Sequence, residues 1–202
     1  MKTFYIADLH FGHEKCLSFD QRPFDSIETH DEELCRRWNS VVTKEDEVWI
    51  LGDISWLKPA DTAALLSRLN GRKNLIVGNH DKNLLRGDKL APFFDEITPY
   101  KELHIRKGLR VVLCHYPIPC FNRHFSGWIH LYGHVHTGFE WKMTEDCRRQ
   151  FERGGYPCNM INVGCMLPYM DYTPRTLDQI LEGYEAFREE TAENTLAQTD
   201  AI

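Results

Sequence analysis

The chain has 202 residues, 42% hydrophobic and 27% charged, enough to enclose one sizeable core. Lys and Arg total 24 against 30 Asp and Glu, a formal charge of −6, which argues against the broad basic field that holds long nucleic acid. No uncharged apolar run nears the roughly 18 residues of a membrane helix, and Asp8 ends the N-terminal apolar stretch too early for a signal peptide, so a cytoplasmic, non-membrane protein is expected.

In chain order, the apolar run Thr3 to Ala7 predicts a strand that leads into Asp8-Leu9-His10. A helix follows, with Thr29 and Glu32 as its capping box and Leu34, Trp38, Val41 and Val42 on one face. Glu47 to Leu51 predicts a strand running into Gly52-Asp53. A second helix spans Pro59 to Leu69, with Pro suited to its first turn and Asn70-Gly71 to its end. Strands over Asn74 to Val77, Leu109 to Cys114 and Ile129 to Tyr132 lead into Gly78-Asn79-His80-Asp81, His115 and Gly133-His134-Val135-His136. The charged stretch from 139 to 158, with Arg148, Arg149 and Arg153, reads as a solvated surface excursion, or second as a substrate lid. A strand over Met160 to Val163 and a helix from Thr176, with Leu177, Ile180, Leu181, Tyr184 and Phe187 inward, complete an α/β pattern. Beyond Glu190 the chain turns polar. One domain over residues 1–190 and a frayed tail over 191–202 are therefore expected.

The seven cysteines are odd in number and include no C-x-x-C pair, so they read as reduced and structural. The chemistry lies elsewhere. In open α/β sheets ligands gather where strands end, and five strand ends here each deliver an Asp, Asn or His. Asp8 and His10 lie two apart, as do His134 and His136, so each pair shares a side on an extended chain. With Asp53, Asn79 and His115 these give two carboxylates, one amide oxygen and four imidazoles, without a thiolate. Such mixed nitrogen and oxygen donors suit Mn, Fe, Zn or Ni. Seven donors exceed the needs of one open catalytic ion, whereas two ions sharing a bridging carboxylate would use them all.

Taken singly, each block has an ordinary reading: a surface loop for Asp8-Leu9-His10, a tight turn for Gly78 to Asp81, a hydrogen-bonded strand end for His115. All would have to hold together for the metal reading to fail. His30, His104 and His130 read as structural. His13 reads equally as a turn residue or a substrate contact. Arg22, in Arg-Pro-Phe, would either clamp a phosphate or anchor a loop to a carboxylate. Asn122 and His124 lie in the segment from Tyr116 to Trp128, which leaves a donor-bearing strand and is expected to line the pocket.

The blocks Asp8-Leu9-His10, Gly52-Asp53, Gly78-Asn79-His80-Asp81, His115 and Gly133-His134-Val135-His136 resemble, in order, the five motifs of calcineurin-like metallophosphoesterases. Asp8 to His13, Arg22-Pro23-Phe24, His130 to Gly133 and Asn162-Val163-Gly164 further resemble a branch of small bacterial and phage members. The resemblance implies a β-sandwich flanked by helices (α/β/β/α), with the active site at the carboxyl ends of the strands. It implies that Asp8, His10 and His136 hold one divalent ion and Asn79, His115 and His134 a second, with Asp53 bridging. Manganese is favoured among the candidate metals. A bridging hydroxide would attack the phosphorus of a small phosphomonoester or phosphodiester, His80 would protonate or stabilise the leaving group, and Asp81 would orient His80. Two ions, two carboxylates and a hydroxide sum to a local charge of about +1, which would attract a phosphate to an acidic protein. A nuclease, a cyclic-nucleotide phosphodiesterase and a metal-free interaction scaffold are the alternatives.

Overall fold

The computed structural model describes residues 1–87 and 89–199. In chain order the elements are β1 (Thr3–Ile6), α1 (Lys15–Phe19), α2 (Ile27–Val41), β2 (Glu47–Ile50), α3 (Pro59–Arg68), β3 (Arg72–Ile76), α4 (Asp81–Leu84), β4 (Glu96–Thr98), β5 (Tyr100–Arg106), β6 (Leu109–Cys114), β7 (Ile129–Tyr132), α5 (Phe139–Arg153), β8 (Asn159–Asn162), β9 (Arg175–Thr176) and α6 (Leu177–Thr199). They build two mixed sheets flanked by helices, with strand orders β4-β3-β2-β1-β9 and β5-β6-β7-β8. Strands β1 to β4 are parallel, as are β6 to β8, while β9 and β5 close one edge of each sheet antiparallel. The α/β sandwich expected from the sequence is thus the observed architecture.

Alternation along the second sheet explains its two faces. Val111, Leu113, Ile129, Leu131 and Ile161 join the main core with β1 to β3, α2, α3 and α6. Val112, Tyr132 and Met160 point the other way, into a smaller core with Phe121, Val135 and Cys158, against which Trp141 and Phe151 of α5 pack. The sheets meet where β1 and β8 end. Ala7 bridges Gly164, with the Ala7 N–H donating to the Val163 carbonyl (2.9 Å) and the Cys165 N–H donating to the Ala7 carbonyl (2.9 Å). This junction brings the carboxyl ends of β1, β2, β3, β6 and β7 to one side.

Three local expectations change. The first long helix starts earlier than Thr29: Ser26 is its cap, accepting from the Thr29 N–H at 3.2 Å, while Thr29 Oγ1 accepts from the Ser26 N–H at 3.1 Å. Residues 139–153 are neither a loose excursion nor an open lid but the helix α5. Its low mean hydropathy conceals an apolar face, and Arg148 is buried between Glu145 and Glu152, three residues before and four after it. The final helix continues to Thr199, past the polar switch at Glu190, since Glu, Ala, Leu and Gln favour helix. Residues 200–202 of the expected frayed tail lie outside the described residues. Among the described residues no helix is long and apolar enough to cross a membrane.

Trp38 is the largest fully buried side chain of the main core, and its indole N–H donates to the Asn70 carbonyl at 2.9 Å, tying α2 to the turn after α3. Trp38→Ala should therefore lower the unfolding free energy by about 3–5 kcal/mol. Trp38→Phe, which strands the carbonyl but fills most of the space, should cost about 1–3 kcal/mol. Urea titration followed by circular dichroism measures both.

Candidate metal centre

Each strand end continues into a loop whose backbone is still held by its neighbour. Beyond β1 and β2, the Asp8 N–H donates to Gly52 O (3.1 Å), the His10 N–H to Asp53 O (3.0 Å) and the Phe11 N–H to Ile54 O (2.9 Å). The side chains turn inward because the backbone leaves the strand conformation. Asp8, His10, Asp53, His134 and His136 all have left-handed φ, between 48° and 72°. Non-glycine residues rarely adopt this region, and such strained conformations tend to gather at active sites and ligand clamps. Gly52 permits a close approach: its φ is +85°, and a Cβ there would overlap Nδ1 of His115.

The loops assemble two groups of donor atoms that share Asp8: Asp8, His10 and His136, and Asp8, Asp53 and His115. Asp8, Asp53, His10 and His115 are all buried. Asp53 faces both halves, with Oδ2 3.9 Å from His10 Nε2 and Oδ1 3.6 Å from His115 Nε2. Asn79 Oδ1 lies 3.0 Å from His115 Nε2. The His134 ring stands 5.1 Å from that of His115, and its backbone N–H donates to both oxygens of Asp8 (3.1 and 3.0 Å).

Tautomers decide what these distances mean. His115 Nδ1 lies 2.7 Å from the Leu51 carbonyl, which can only accept, so the proton of the neutral ring is on Nδ1 and Nε2 carries a lone pair. That lone pair faces the Asn79 oxygen, acceptor against acceptor. On the other side, His136 Nδ1 donates to both oxygens of Asp20 at 2.9 Å, directing Nε2 toward His10 Nε2 at 3.2 Å. Two nitrogens that bind one ion at about 2.1 Å and about 100° apart sit about 3.2 Å from each other. The donor set therefore fits divalent cations at both convergences. Burial drives the His10 pKa well below its ordinary value, which keeps the ring neutral for ligation. For His136 burial also opposes the charge, but Asp20 and Asp8 outweigh it and raise the pKa, so without an ion a proton occupies that convergence. Burial likewise raises the Asp8 pKa, because no Lys or Arg side chain faces its carboxylate among the described residues.

Other expected site residues take different places. Asp81 does not orient His80: its buried carboxylate accepts from the N–H groups of Asp53 (2.9 Å), Ile54 (3.0 Å) and Gly78 (2.8 Å), so it fixes the loops carrying Asp53 and Asn79. Arg22 lies beneath the donors rather than among substrate contacts. Its guanidinium is fully buried and donates to Asp20 (2.9 and 3.0 Å), to the carbonyls of Asp8 (2.9 Å) and Leu9 (3.1 Å), and to His30 Nε2 (2.9 Å). The loop-anchoring alternative is the one realised. Asn122 donates to Glu102 (2.9 Å), and His124 packs against Phe121, Phe125 and Phe151; neither touches a donor side chain. His13 stays at the rim, its ring 5.4 Å from that of His10. His80 is at the mouth, 47% exposed, with Nε2 4.0 Å from Asp53 Oδ2.

Two positioning residues were not among the expected site residues. Asp20 holds the His136 ring. Asn162 donates to the His136 carbonyl (3.0 Å), while its Oδ1 accepts from the Gly164 N–H (2.9 Å), clamping the β7 loop to the sheet junction. Because Asp20 fixes both orientation and tautomer of His136, Asp20→Asn should weaken metal binding about 10- to 100-fold with the fold intact. Calorimetric titration of the metal-stripped protein, with circular dichroism as control, reads this.

The comparisons agree with this geometry. The calcineurin-like phosphoesterase (Metallophos) family model matches residues 1–158. The uncharacterized protein MJ1445 of Methanocaldococcus jannaschii is 34% identical over 138 residues, 67% of this chain and 70% of that one. The gene 66 protein of Mycobacterium phage D29 is 32% identical over 162 residues, covering 67% and 78% of the two chains, and that of phage L5 is 43% identical over 82 residues, 39% of each. The crystal structure of AQ665 from Aquifex aeolicus, a protein of unknown function, superposes with a TM-score of 0.67 at 26% identity, covering 90% of this chain and 98% of that one. With the family's matched region carrying every donor of the two convergences, the chain belongs to the calcineurin-like phosphoesterases.

Proposed function

We propose that the protein hydrolyses a small phosphomonoester or phosphodiester with two divalent ions, manganese favoured. The observation that carries this reading is the pair of lone-pair convergences, His10 against His136 and His115 against Asn79, with Asp53 between them. Asp8, His10 and His136 would hold one ion, Asn79, His115 and His134 the other, and Asp53 both. Bound there, such ions polarise phosphoryl oxygens and acidify water. The chain's own groups do the rest. Asp81, through three backbone amides, keeps the Asp53 loop in register with Asn79. His80 Nε2, exposed at the mouth and facing Asp53, donates its proton to the ester oxygen as the P–O bond breaks. The net charge of −6 favours a small substrate over an extended polyanion, and seven unpaired cysteines favour a reducing, cytoplasmic setting.

The test is reconstitution of chelator-treated protein with Mn, Fe, Zn or Ni, elemental analysis, and assay on mono-, di- and cyclic phosphoesters and on oligonucleotides. About two ions per chain and metal-dependent turnover are expected. Asp53→Asn should lose metal and activity together. His80→Ala should keep its metal yet lose about 10²–10⁴ of the rate on esters with unactivated leaving groups. Fewer than one ion per chain after reconstitution would favour a non-catalytic scaffold, and full activity of His80→Ala would remove its assigned role.

A further inference from the structure

With Asp81 engaged by backbone amides, His80 is left with no hydrogen-bonded partner for its imidazole among the described residues: its one hydrogen bond is from its backbone N–H to Asp53 Oδ1 (3.1 Å), and its ring nitrogen comes no closer than 4.0 Å to Asp53. A half-exposed histidine held only by its backbone would sample several rotamers. What the ring does touch is Trp56, whose centroid lies 4.1 Å away at an interplanar angle of 41°. Trp56 in turn lies flat on His13, 3.9 Å away at 3°. The indole thus packs against both imidazoles, with the His10 ring a third neighbour at 4.8 Å, and His13 Nδ1 makes no hydrogen bond, so stacking is what locates that ring too.

The backbone that carries the indole is held although the residue is 38% exposed: the Trp56 backbone N–H donates to the Phe11 carbonyl at 2.8 Å, and Phe11 and Ser55 form an isolated parallel bridge. Gly12, with φ +71°, lets the two loops close, since a Cβ there would overlap the Leu57 side chain. The loop that carries His10 therefore also carries the backing for the tryptophan. Phe19, 52% exposed, stands 5.6 Å from His13 and completes an aromatic wall on this side of the centre.

We infer that Trp56 is a positioning residue for His80: by packing against its imidazole, backed by His13, it restricts the ring to the orientation that directs Nε2 into the metal centre. The inference rests on the phosphoesterase reading above and deepens it. Aromatic packing of this kind is enough to bias one rotamer severalfold, and displacement of a catalytic group by about 1 Å can cost about 100-fold in rate.

The test compares Trp56→Ala, Trp56→Phe, His80→Ala and the Trp56→Ala/His80→Ala double variant, all reconstituted with metal and checked for metal content. Rates are measured on phosphoesters whose leaving groups range from 4-nitrophenol, which needs no protonation, to simple alcohols, which do. Trp56→Ala should lose about 10- to 100-fold in kcat on the alkyl esters and little on the 4-nitrophenyl ester, with KM and metal content retained. Trp56→Phe should restore most of the loss. In the His80→Ala background, Trp56→Ala should have no further effect. A second readout is independent of turnover: in metal-free protein the His80 ring protons should show an upfield ring-current shift in NMR spectra that Trp56→Ala abolishes. The proposal is overturned if Trp56→Ala slows all leaving groups equally, if its effect persists in the double variant, or if the His80 resonances do not move. If His80→Ala alone shows no dependence on the leaving group, the general-acid role of His80 fails first and the role of Trp56 falls with it.

Discussion

An imidazole lone pair held against an amide oxygen, and two imidazole nitrogens held against each other, are arrangements that cost a buried site free energy unless a proton or a metal ion stands between them. Here both occur within one cluster, between His115 and Asn79 and between His10 and His136. The arrangement is not an accident of loop placement, because each tautomer is imposed from outside: the Leu51 carbonyl fixes His115, and Asp20 fixes His136. Asp20 is held in turn by Arg22, whose remaining donors hold the Asp8 and Leu9 carbonyls. His30 accepts from Arg22 through Nε2, so its proton is on Nδ1, where Asp31 receives it. A chain of fixed protons thus runs under the centre and ends at its lone pairs.

Holding donors this way costs backbone energy. Left-handed φ at a non-glycine residue costs on the order of 1–3 kcal/mol, and five of the proposed ligands share it. Several kcal/mol of strain is comparable with the net stability of a domain, about 5–15 kcal/mol, so the surrounding structure must over-determine these conformations. It does so in two ways. Parallel pairing continues past the strand ends through the Asp8–Gly52, His10–Asp53 and Phe11–Ile54 hydrogen bonds, and the Ala7–Gly164 bridge locks the two sheets together at the same point. The strain therefore sits where the ladder ends but the cores on either side are already closed.

How much of this could be read from the chain follows from the same division. The strand ends were legible because a short apolar run followed by Asp-x-His, Gly-Asp or Gly-Asn-His leaves few readings, and the five blocks keep the family's order. The strands β6 to β8 were legible as short apolar runs, while their two faces emerge only from the packing. What was not legible were roles set by tertiary contact. Asp81 looks available for His80, yet burial commits it to three backbone amides; Arg22 reads equally as phosphate clamp or loop anchor, and only its burial against Asp20 and the Asp8 carbonyl decides between them. Asp20 and Trp56 carry no local pattern, and Asn162 stands out only through the resemblance of Asn162-Val163-Gly164, with no role attached, since each acts on a residue more than 20 positions away in sequence. The helix α5 escaped because its charged residues mask the few apolar positions that meet the sheet, and β5 because an edge strand of half-exposed residues lacks a buried face.

The charge of the centre then sets an order of events. Four carboxylates are buried around it, but two are already answered: Asp20 by Arg22 and Asp81 by three backbone amides. Asp8 and Asp53 have no such partner; of the imidazoles beside them, His10 is held neutral by burial, while Asp20 and Asp8 raise the pKa of His136. Without metal ions these carboxyl groups give a phosphoester little to bind at close range, where solvent screening is weak. With the two divalent ions proposed above, the site would become cationic. On that reading cation binding would precede anion binding, and the acidity of the remaining surface, screened over about 8 Å in physiological salt, would have little bearing on whether a small phosphoester reaches the centre.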